Sequence, residues 1–241
     1  MHTKNTNPIS FMDCEKEGLY KAIFSRRDVR SQFITREIPD NILAKILKAA
    51  HHAPSVGYSQ PWDFILIKDN STRLLVKNSF IRENEKSISL LQEDNDRQKL
   101  YLRLKLEGIL DSALNICVTY DPTRFGPFVL GRTSIPETGV YSVCCAIQNL
   151  WLAARVEGIG IGWISILSIS DLKKILSLPD HVLPVAYLCV GYVSQFYSNP
   201  DLENAGWLER MALREVIHYE KWKGPLNDSW KDIGKEADNL E

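Results

Sequence analysis

The segment from Gly139 to Glu157 constrains the fold more than any other part of the 241-residue chain. Its sequence is typical of a helix, and apolar residues lie on nearly all of its faces rather than on one stripe. Such a helix is stable in water only when other elements, or a second copy of the chain, cover it. We therefore predict a buried central helix, at the middle of the domain or in a dimer interface.

The segments around this helix show helix and strand patterns in turn. The predicted helices cover residues 13–24, 40–52, 71–77, 83–108 and 170–177, and the predicted strands cover residues 63–68, 114–120, 158–166 and 184–193. The strand at 184–193 is strongly apolar and is expected at the centre of the sheet. Segment 83–108 is highly charged and weakly amphipathic, which favours a moving cover over a site or, equally, a solvated surface helix. The pattern predicts an α+β fold in a single domain over residues 1–241, with a polar tail from about residue 227.

Composition excludes several classes of function. Apolar residues make up 44% of the chain and the net charge is −1, so no general basic field favours nucleic acid or an anionic membrane. The polar start, Met1 to Thr6, lacks the apolar core of a secretory signal, and Gln148, Asn149 and Arg155 interrupt the longest apolar stretch. The five cysteines form no C-x-x-C pair, which predicts buried free thiols in a cytoplasmic protein and no metal site.

One short segment concentrates charge near the N-terminus. Arg26, Arg27 and Arg30 surround Asp28 within the sequence Ser25-Arg26-Arg27-Asp28-Val29-Arg30. Arginine binds phosphate well because its planar fork donates two parallel hydrogen bonds and stays charged. The segment also follows a predicted helix, where cations complement the helix dipole without any further role. Asp28 is either the counter-ion of the arginines or a catalytic carboxylate, and these residues alone leave both interpretations open.

Two glycine-containing segments follow. The loop from Ala53 to Trp62 has two prolines and one glycine, and its small residues would let the backbone approach a flat ligand. A plain connection from helix to strand is the alternative. Gly158, Gly160 and Gly162 are similar to a dinucleotide fingerprint, but they follow a helix and open a strand. A dinucleotide site requires the reverse order, so a Rossmann site is excluded.

The arginine segment and the Pro54–Trp62 loop together resemble the FMN-dependent nitroreductase superfamily, whose members carry an R-R-x-x-R motif followed by P-S-x-x-x-x-Q-P-W. Within it, the chain resembles the BluB-type 5,6-dimethylbenzimidazole synthases from about residue 17 to about residue 222. The segments that carry this narrower resemblance are Leu130–Thr133, Tyr141–Ser142, Gln148–Arg155, Gly162–Ile166 and Leu178–Val182.

The resemblance implies a nitroreductase-like fold that works as an intertwined homodimer, with FMN at the subunit interface. It also implies that reduced FMN is a substrate rather than a retained cofactor. Dioxygen would fragment it to erythrose 4-phosphate and 5,6-dimethylbenzimidazole, the lower ligand of vitamin B12 in cobalamin biosynthesis. A separate flavin reductase would supply the electrons from NAD(P)H.

The resemblance also implies roles for individual residues. The arginines would hold the phosphate and ribityl end of FMN, the Pro54–Trp62 loop would contact the isoalloxazine ring, and the 163–165 strand would run beside its N5 edge. The implied FMN-binding residues are Arg26, Arg27, Asp28, Val29, Arg30, Ser55, Val56, Trp163, Ile164, Ser165 and Arg210. Asp28 and Ser165 are the implied catalytic residues. Ordinary nitroreductases usually carry serine at the Asp28 position, whereas BluB-type enzymes carry aspartate, and Ser165 also matches a BluB position.

Chemistry supports these two assignments. Asp28, kept ionised by its arginine neighbours, would take a proton from the ribityl C1′ carbon. The Ser165 hydroxyl would orient dioxygen near N5, while segment 83–108 acts as a lid. The alternatives are an FMN-retaining nitroreductase or reductive dehalogenase, a non-catalytic flavin-binding protein, and a phosphate-binding module without FMN.

Overall fold

The structure, a computed structural model, describes residues 10–91, 94–227 and 230–238. The polar start on which the expectation of no secretory signal rests therefore lies outside the described residues. The elements in chain order are α1 (Asp13–Ser25), α2 (Asp40–His51), a 3₁₀ turn (Val56–Tyr58), β1 (Trp62–Ile67), α3 (Asn70–Ser89), α4 (Asn95–Leu102), β2 (Leu114–Tyr120), α5 (Thr138–Val156), β3 (Ile159–Ile164), α6 (Ile169–Ile175), β4 (Leu183–Tyr192), α7 (Asp201–Asn204), α8 (Leu213–Val216) and α9 (Ile233–Asp238).

The four strands form one antiparallel sheet in the order β1-β2-β4-β3, which confirms the α+β class and the inner position of β4. Successive residues of an inner strand enter opposite layers, because side chains alternate across a sheet. In β4, Leu188 and Val190 join a core cluster with α2 and α5, whereas Tyr187 and Cys189 join a second cluster with α3 and α6. Helices therefore cover both faces of the sheet.

Helix α5 is the central element, as predicted, but it is not buried on every side. Its buried residues recur at helical spacing, and Val143, Ile147 and Leu150 are at most 1% exposed. The opposite face carries Tyr141, which is 56% exposed, and the exposed Cys144. Burial of this second face in a dimer interface, the alternative given for this helix, stays a prediction.

Three further expectations need correction. The bounds of the predicted helices at 71–77 and 83–108 are wrong: α3 runs unbroken from an Asp69 cap that accepts from Thr72 N–H, and α4 begins after Asp94, which accepts from Arg97 N–H. The cysteines are not all buried, since only Cys117 and Cys189 are. Burial raises the pKa of each of these two thiols to about 12, which makes them unreactive.

The chain divides into two compact units, one ending at Asp201 and the other beginning at Leu202. The single domain over 1–241 thus stays a prediction. The second unit contains α8 and α9, although the last element predicted from the sequence ends at residue 193. Within the described ranges no helix is both long enough and apolar enough to cross a membrane.

Candidate active site

The arginine segment lies along the edge strand β3. Asp28 forms a parallel bridge with Ile161, and the Val29 N–H donates to the Ile161 carbonyl at 2.9 Å. Glycine in β3 makes this approach possible, because a Cβ placed at Gly162 would overlap the carbonyl oxygen of Val29. Val29 itself is 2% exposed and packs on Gly160, so its role in binding FMN stays a prediction.

The Asp28 carboxylate has two polar partners. Its Oδ1 accepts the Trp163 N–H at 3.0 Å, and its Oδ2 accepts from an Arg30 terminal nitrogen at 2.6 Å. The side chain is 34% exposed, yet loss of surrounding water is the largest influence on its pKa and raises it. Arg30, the Trp163 N–H and Arg26 lower the pKa without offsetting burial. The arginines lower the pKa of Asp28, as expected, but burial outweighs them, and the net rise makes the carboxyl better matched to proton transfer.

Aromatic rings lie beside this carboxylate. The Arg26 guanidinium stacks on Trp151 at 4.8 Å from the ring centroid, and the Trp151 and Trp163 rings are 6.5 Å apart. The Trp151 Nε1–H donates to the Arg27 carbonyl at 3.2 Å, which ties α5 to the arginine segment. Arg26, Asp28, Arg30 and Trp163 are thus brought together as predicted from the sequence. Trp151 was missed because its position in an apolar helix indicated only core packing.

The Arg27 side chain follows a different course. Its guanidinium donates to the carbonyls of Phe24, Arg26 and Ser198. It lines a cavity of about 350 Å³ whose lining residues are Lys21, Phe24, Ser25, Arg27, Arg155, Phe196, Tyr197 and Ser198. The partners of Asp28 are not among them. In an extended segment successive side chains point to opposite sides, which separates Arg27 from Asp28. Its role in binding FMN stays a prediction.

The Pro54–Trp62 loop contacts the other end of α5. The Val56 N–H donates to the Ser142 hydroxyl at 3.0 Å, and the Ser55 hydroxyl accepts from Gln60 N–H at 3.0 Å. Ser142 and Trp151 are about 14 Å apart along the helix axis at 1.5 Å per residue. The two groups of predicted FMN residues therefore contact α5 in different places.

The remaining predicted residues differ in accessibility. Ser165 follows the end of β3 and is exposed, whereas the Ile164 side chain is 2% exposed and belongs to the core. Arg210 is exposed in the second unit, and its role in binding phosphate stays a prediction. Gln32 was missed by the sequence reasoning, although its place two residues after Arg30 was a usable signal. Its side-chain oxygen accepts the Arg30 N–H at 3.2 Å.

These features define a class of site: cationic and aromatic groups around a half-buried carboxylate with a raised pKa, on an antiparallel α+β scaffold. Such a site suits a planar ligand that carries an anionic group. Buried side-chain nitrogens without an acceptor among the described residues include Nε of Arg27 and Nε of Arg30, so both arginines retain donor capacity.

Comparison with known proteins identifies the family. The chain belongs to the nitroreductase family, whose family model matches residues 23–192. It is 40% identical to a 5,6-dimethylbenzimidazole synthase of Rhodospirillum rubrum over 81% of this chain and 91% of that protein. It is 30% identical to a protein of the same name from Rhodobacter capsulatus, over 84% of this chain and 97% of that protein.

A solved structure gives the same fold. Iodotyrosine deiodinase, bound to FMN and 3-iodo-L-tyrosine, superposes with a TM-score of 0.67 at 19% identity. The match covers 85% of this chain and 100% of that chain.

Proposed function

We propose that this protein is a 5,6-dimethylbenzimidazole synthase that uses dioxygen to fragment reduced FMN into 5,6-dimethylbenzimidazole and erythrose 4-phosphate. The observation that carries the proposal is the environment of Asp28, which is fixed by Trp163 N–H and Arg30 and has a raised pKa. The 40% identity to the Rhodospirillum rubrum synthase supports the same activity. As substrate, FMN supplies both the ring that becomes the product and the ribityl C1′ carbon that must lose a hydrogen.

Each residue of the site has a proposed task. Asp28 accepts the C1′ proton, because its raised pKa makes the carboxylate a stronger base than an ordinary aspartate. Arg26 and Arg30 bind the phosphate and ribityl end, while Trp151 and Trp163 offer apolar surface. The Ser165 hydroxyl orients dioxygen. Arg27, Arg210, Ser55 and Val56, together with the backbone of Val29 and Ile164, complete the proposed FMN site.

We also propose a homodimer. In one chain the arginine segment and the Val56 loop contact α5 about 14 Å apart along the axis, so a second copy related by a two-fold axis is the simplest way to complete the site. Exposed apolar side chains on α1 and α5 provide surface for such a contact: Leu19, Tyr20, Ile23, Phe24 and Tyr141. Sedimentation at micromolar concentration should give twice the mass of the 27.5 kDa chain. A monomer that fragments FMN would contradict the shared site.

A separate flavin reductase and a cytoplasmic location complete the proposal. The enzyme receives FMN already reduced, so the reductase supplies electrons and takes no part in the fragmentation. The absence of cysteine pairing supports a reducing compartment, since all five thiols are free.

The test reduces FMN chemically, adds the protein and admits air, with no reductase present. We expect 5,6-dimethylbenzimidazole by mass spectrometry and permanent loss of the visible flavin absorbance. The same mixture without protein is the control and should regain its yellow colour. Recovery of the colour with the protein present, and no benzimidazole, would contradict the proposal.

The second candidate is an FMN-retaining reductase or reductive dehalogenase, favoured by the structural similarity to iodotyrosine deiodinase. Such an enzyme would oxidise bound reduced FMN with an external acceptor and leave the ring intact. The aeration experiment separates the two candidates, because only the synthase consumes its flavin. A flavin-binding protein without turnover would neither fragment FMN nor accelerate its oxidation.

A further inference from the structure

The segment that follows β3 is fixed at both ends, and Ser165 lies between the two attachments. At the upstream end, Trp163 N–H donates to Asp28 Oδ1 at 3.0 Å. At the downstream end, Ser168 N–H donates to the hydroxyl of Ser79 at 3.4 Å. Only Ile166 and Leu167 separate Ser165 from the second attachment, and both pack against the core cluster on the α3 and α6 face of the sheet.

The second attachment is a closed ring of hydrogen bonds. The Ser79 hydroxyl donates to Asp171 Oδ2 at 2.7 Å, and the Asp171 N–H donates to the Ser168 hydroxyl at 3.2 Å. Together with the bond from Ser168 N–H to Ser79, these contacts join α3 to the first turn of α6. Arg82 also donates to Asp171 Oδ2 at 2.7 Å from a side chain that is 55% exposed.

The burial of Ser79 makes this ring informative. Ser79 is 0% exposed, whereas a serine on a helix is normally found at the surface. Its hydroxyl is both donor and acceptor within the ring, so alanine would leave the Ser168 N–H without this acceptor. Only two residues connect Ser168 to Ser165, too short a span to absorb a shift of Ser168 without moving the exposed hydroxyl.

We infer that Ser79 and Asp171 are positioning residues for Ser165, acting through Ser168 and the short segment between them. The inference rests on the proposed function, because it requires that the Ser165 hydroxyl act on the reaction. Neither residue has to touch FMN or dioxygen. Their contribution is to fix the place at which a catalytic hydroxyl is presented, and small displacements of such groups are costly.

The test is a double-mutant cycle of Ser79→Ala and Ser165→Ala, with benzimidazole formation from chemically reduced FMN as the readout. We expect Ser79→Ala to lower kcat about 10- to 100-fold and to leave the KM for reduced FMN nearly unchanged. In the Ser165→Ala background the same change should lower kcat less than about 2-fold, because the group being positioned is absent. Equal losses in both backgrounds would mean a general structural role and would overturn the inference.

Ser71→Ala is the matched control. Ser71 lies on the same helix and is exposed, and its hydroxyl donates to Asp69 Oδ2 at 2.5 Å. This change should leave kcat within about 2-fold of the wild type, since surface substitutions away from such networks are nearly neutral. Thermal melts of all variants verify that each is folded.

Asp171 gives a second route should Ser79→Ala fail to fold. Asp171→Asn keeps an oxygen that accepts from Ser79, so it should retain most of the activity that Asp171→Ala loses. Equal activity of Asp171→Ala and the wild type would overturn the inference. If the wild type forms no benzimidazole, the proposed function and the inference fail together. If the wild type is active and Ser79→Ala is equally active, the inference is wrong while the proposed function stands.

Discussion

Asp28 and Ser165, the two residues proposed to carry the chemistry, are held in opposite ways. Asp28 is fixed by its own carboxylate, which binds Trp163 N–H and Arg30, and by the backbone bridge to β3. Ser165 is exposed and has fixed neighbours on either side, through Trp163 and Ser168. A change at Asp28 therefore alters the proposed base and its hydrogen bonds directly. The position of Ser165, in contrast, can be altered by a change at a distant residue such as Ser79.

Asp28→Asn should lower benzimidazole formation by about 100-fold or more, because an amide cannot accept the C1′ proton. Asparagine keeps an oxygen for Trp163 N–H, so the fold should persist. The rate is measured by mass spectrometry, with the melting temperature as a check on folding. Full activity of this variant would remove Asp28 from the mechanism.

Gly162→Ala should disturb the attachment of the arginine segment to β3 while the Asp28 residue is unchanged, because the new methyl group overlaps the Val29 carbonyl. Overpacking of this kind costs about 1–3 kcal/mol, and the activity should fall with the displaced carboxylate. Urea unfolding measures the free energy of unfolding.

Gly18→Ala is the control for that experiment. Gly18 lies in α1, and no neighbouring atom lies within 4 Å of the position that an added methyl group would take. Alanine there should stabilise the protein by about 0.5–1 kcal/mol, because glycine loses more conformational freedom in a helix. A Gly162→Ala variant as stable and as active as the wild type would show that the close approach to β3 is not required.

The pH dependence tests the raised pKa of Asp28. The native state holds this proton more tightly than the unfolded chain, so the site's contribution to stability is present at low pH. It is lost as pH rises from the ordinary aspartate range through the native pKa. The unfolding free energy of the wild type minus that of Asp28→Asn should therefore decrease with rising pH. The acid limb of the pH profile of kcat/KM should have a pKa above that of an ordinary aspartate. If the difference in unfolding free energy instead increases with pH, the pKa of Asp28 is lowered rather than raised.

Arg82→Ala should have the smallest effect. Arg82 strengthens the ring at Asp171, but its side chain is 55% exposed and Ser79 remains as a donor. We expect a loss of less than about 1 kcal/mol in unfolding free energy, as for other exposed ion pairs, and a reduction of activity below about 3-fold. If Arg82→Ala lowers activity as much as Ser79→Ala does, the exposed ion pair of Arg82 and Asp171 holds the Ser165 segment, rather than the buried hydroxyl of Ser79.

Local pattern made much of the fold predictable. The apolar content of β4 predicts its inner position in the sheet, and the spacing of apolar residues in α5 predicts its packing against the core. Both patterns are reliable because apolar residues are buried when the chain folds. The end of α3 at Ser89 was not predictable, since residues 90–107 contain no glycine or proline that would mark a stop. The sequence left open whether all of α5 meets the core or one face meets a second chain, because obligate interfaces resemble cores in composition.

The site was predictable where residues adjacent in sequence act together. Arg26, Asp28 and Arg30 lie on one side of an extended segment, so residues that are close in sequence are also close in the folded site. Arg27 lies between Arg26 and Asp28 in sequence, but its guanidinium donates to the backbone carbonyls of Phe24 and Ser198. The sequence alone does not show which way this side chain points. Ser79 gave no signal at all, because its partners Ser168 and Asp171 are distant in the chain and meet it only in three dimensions.

The separation of the arginine segment from the Val56 loop along α5 has a genetic consequence. In a two-fold dimer each site would take one group from either chain, so two defective alleles could complement one another. A chain carrying Asp28→Asn, mixed with a chain carrying a disruptive change at Gly57, would form heterodimers in which one site holds both defects and the other holds neither. Co-expression of the two variants should then restore up to half of the activity per heterodimer, although each homodimer is inactive.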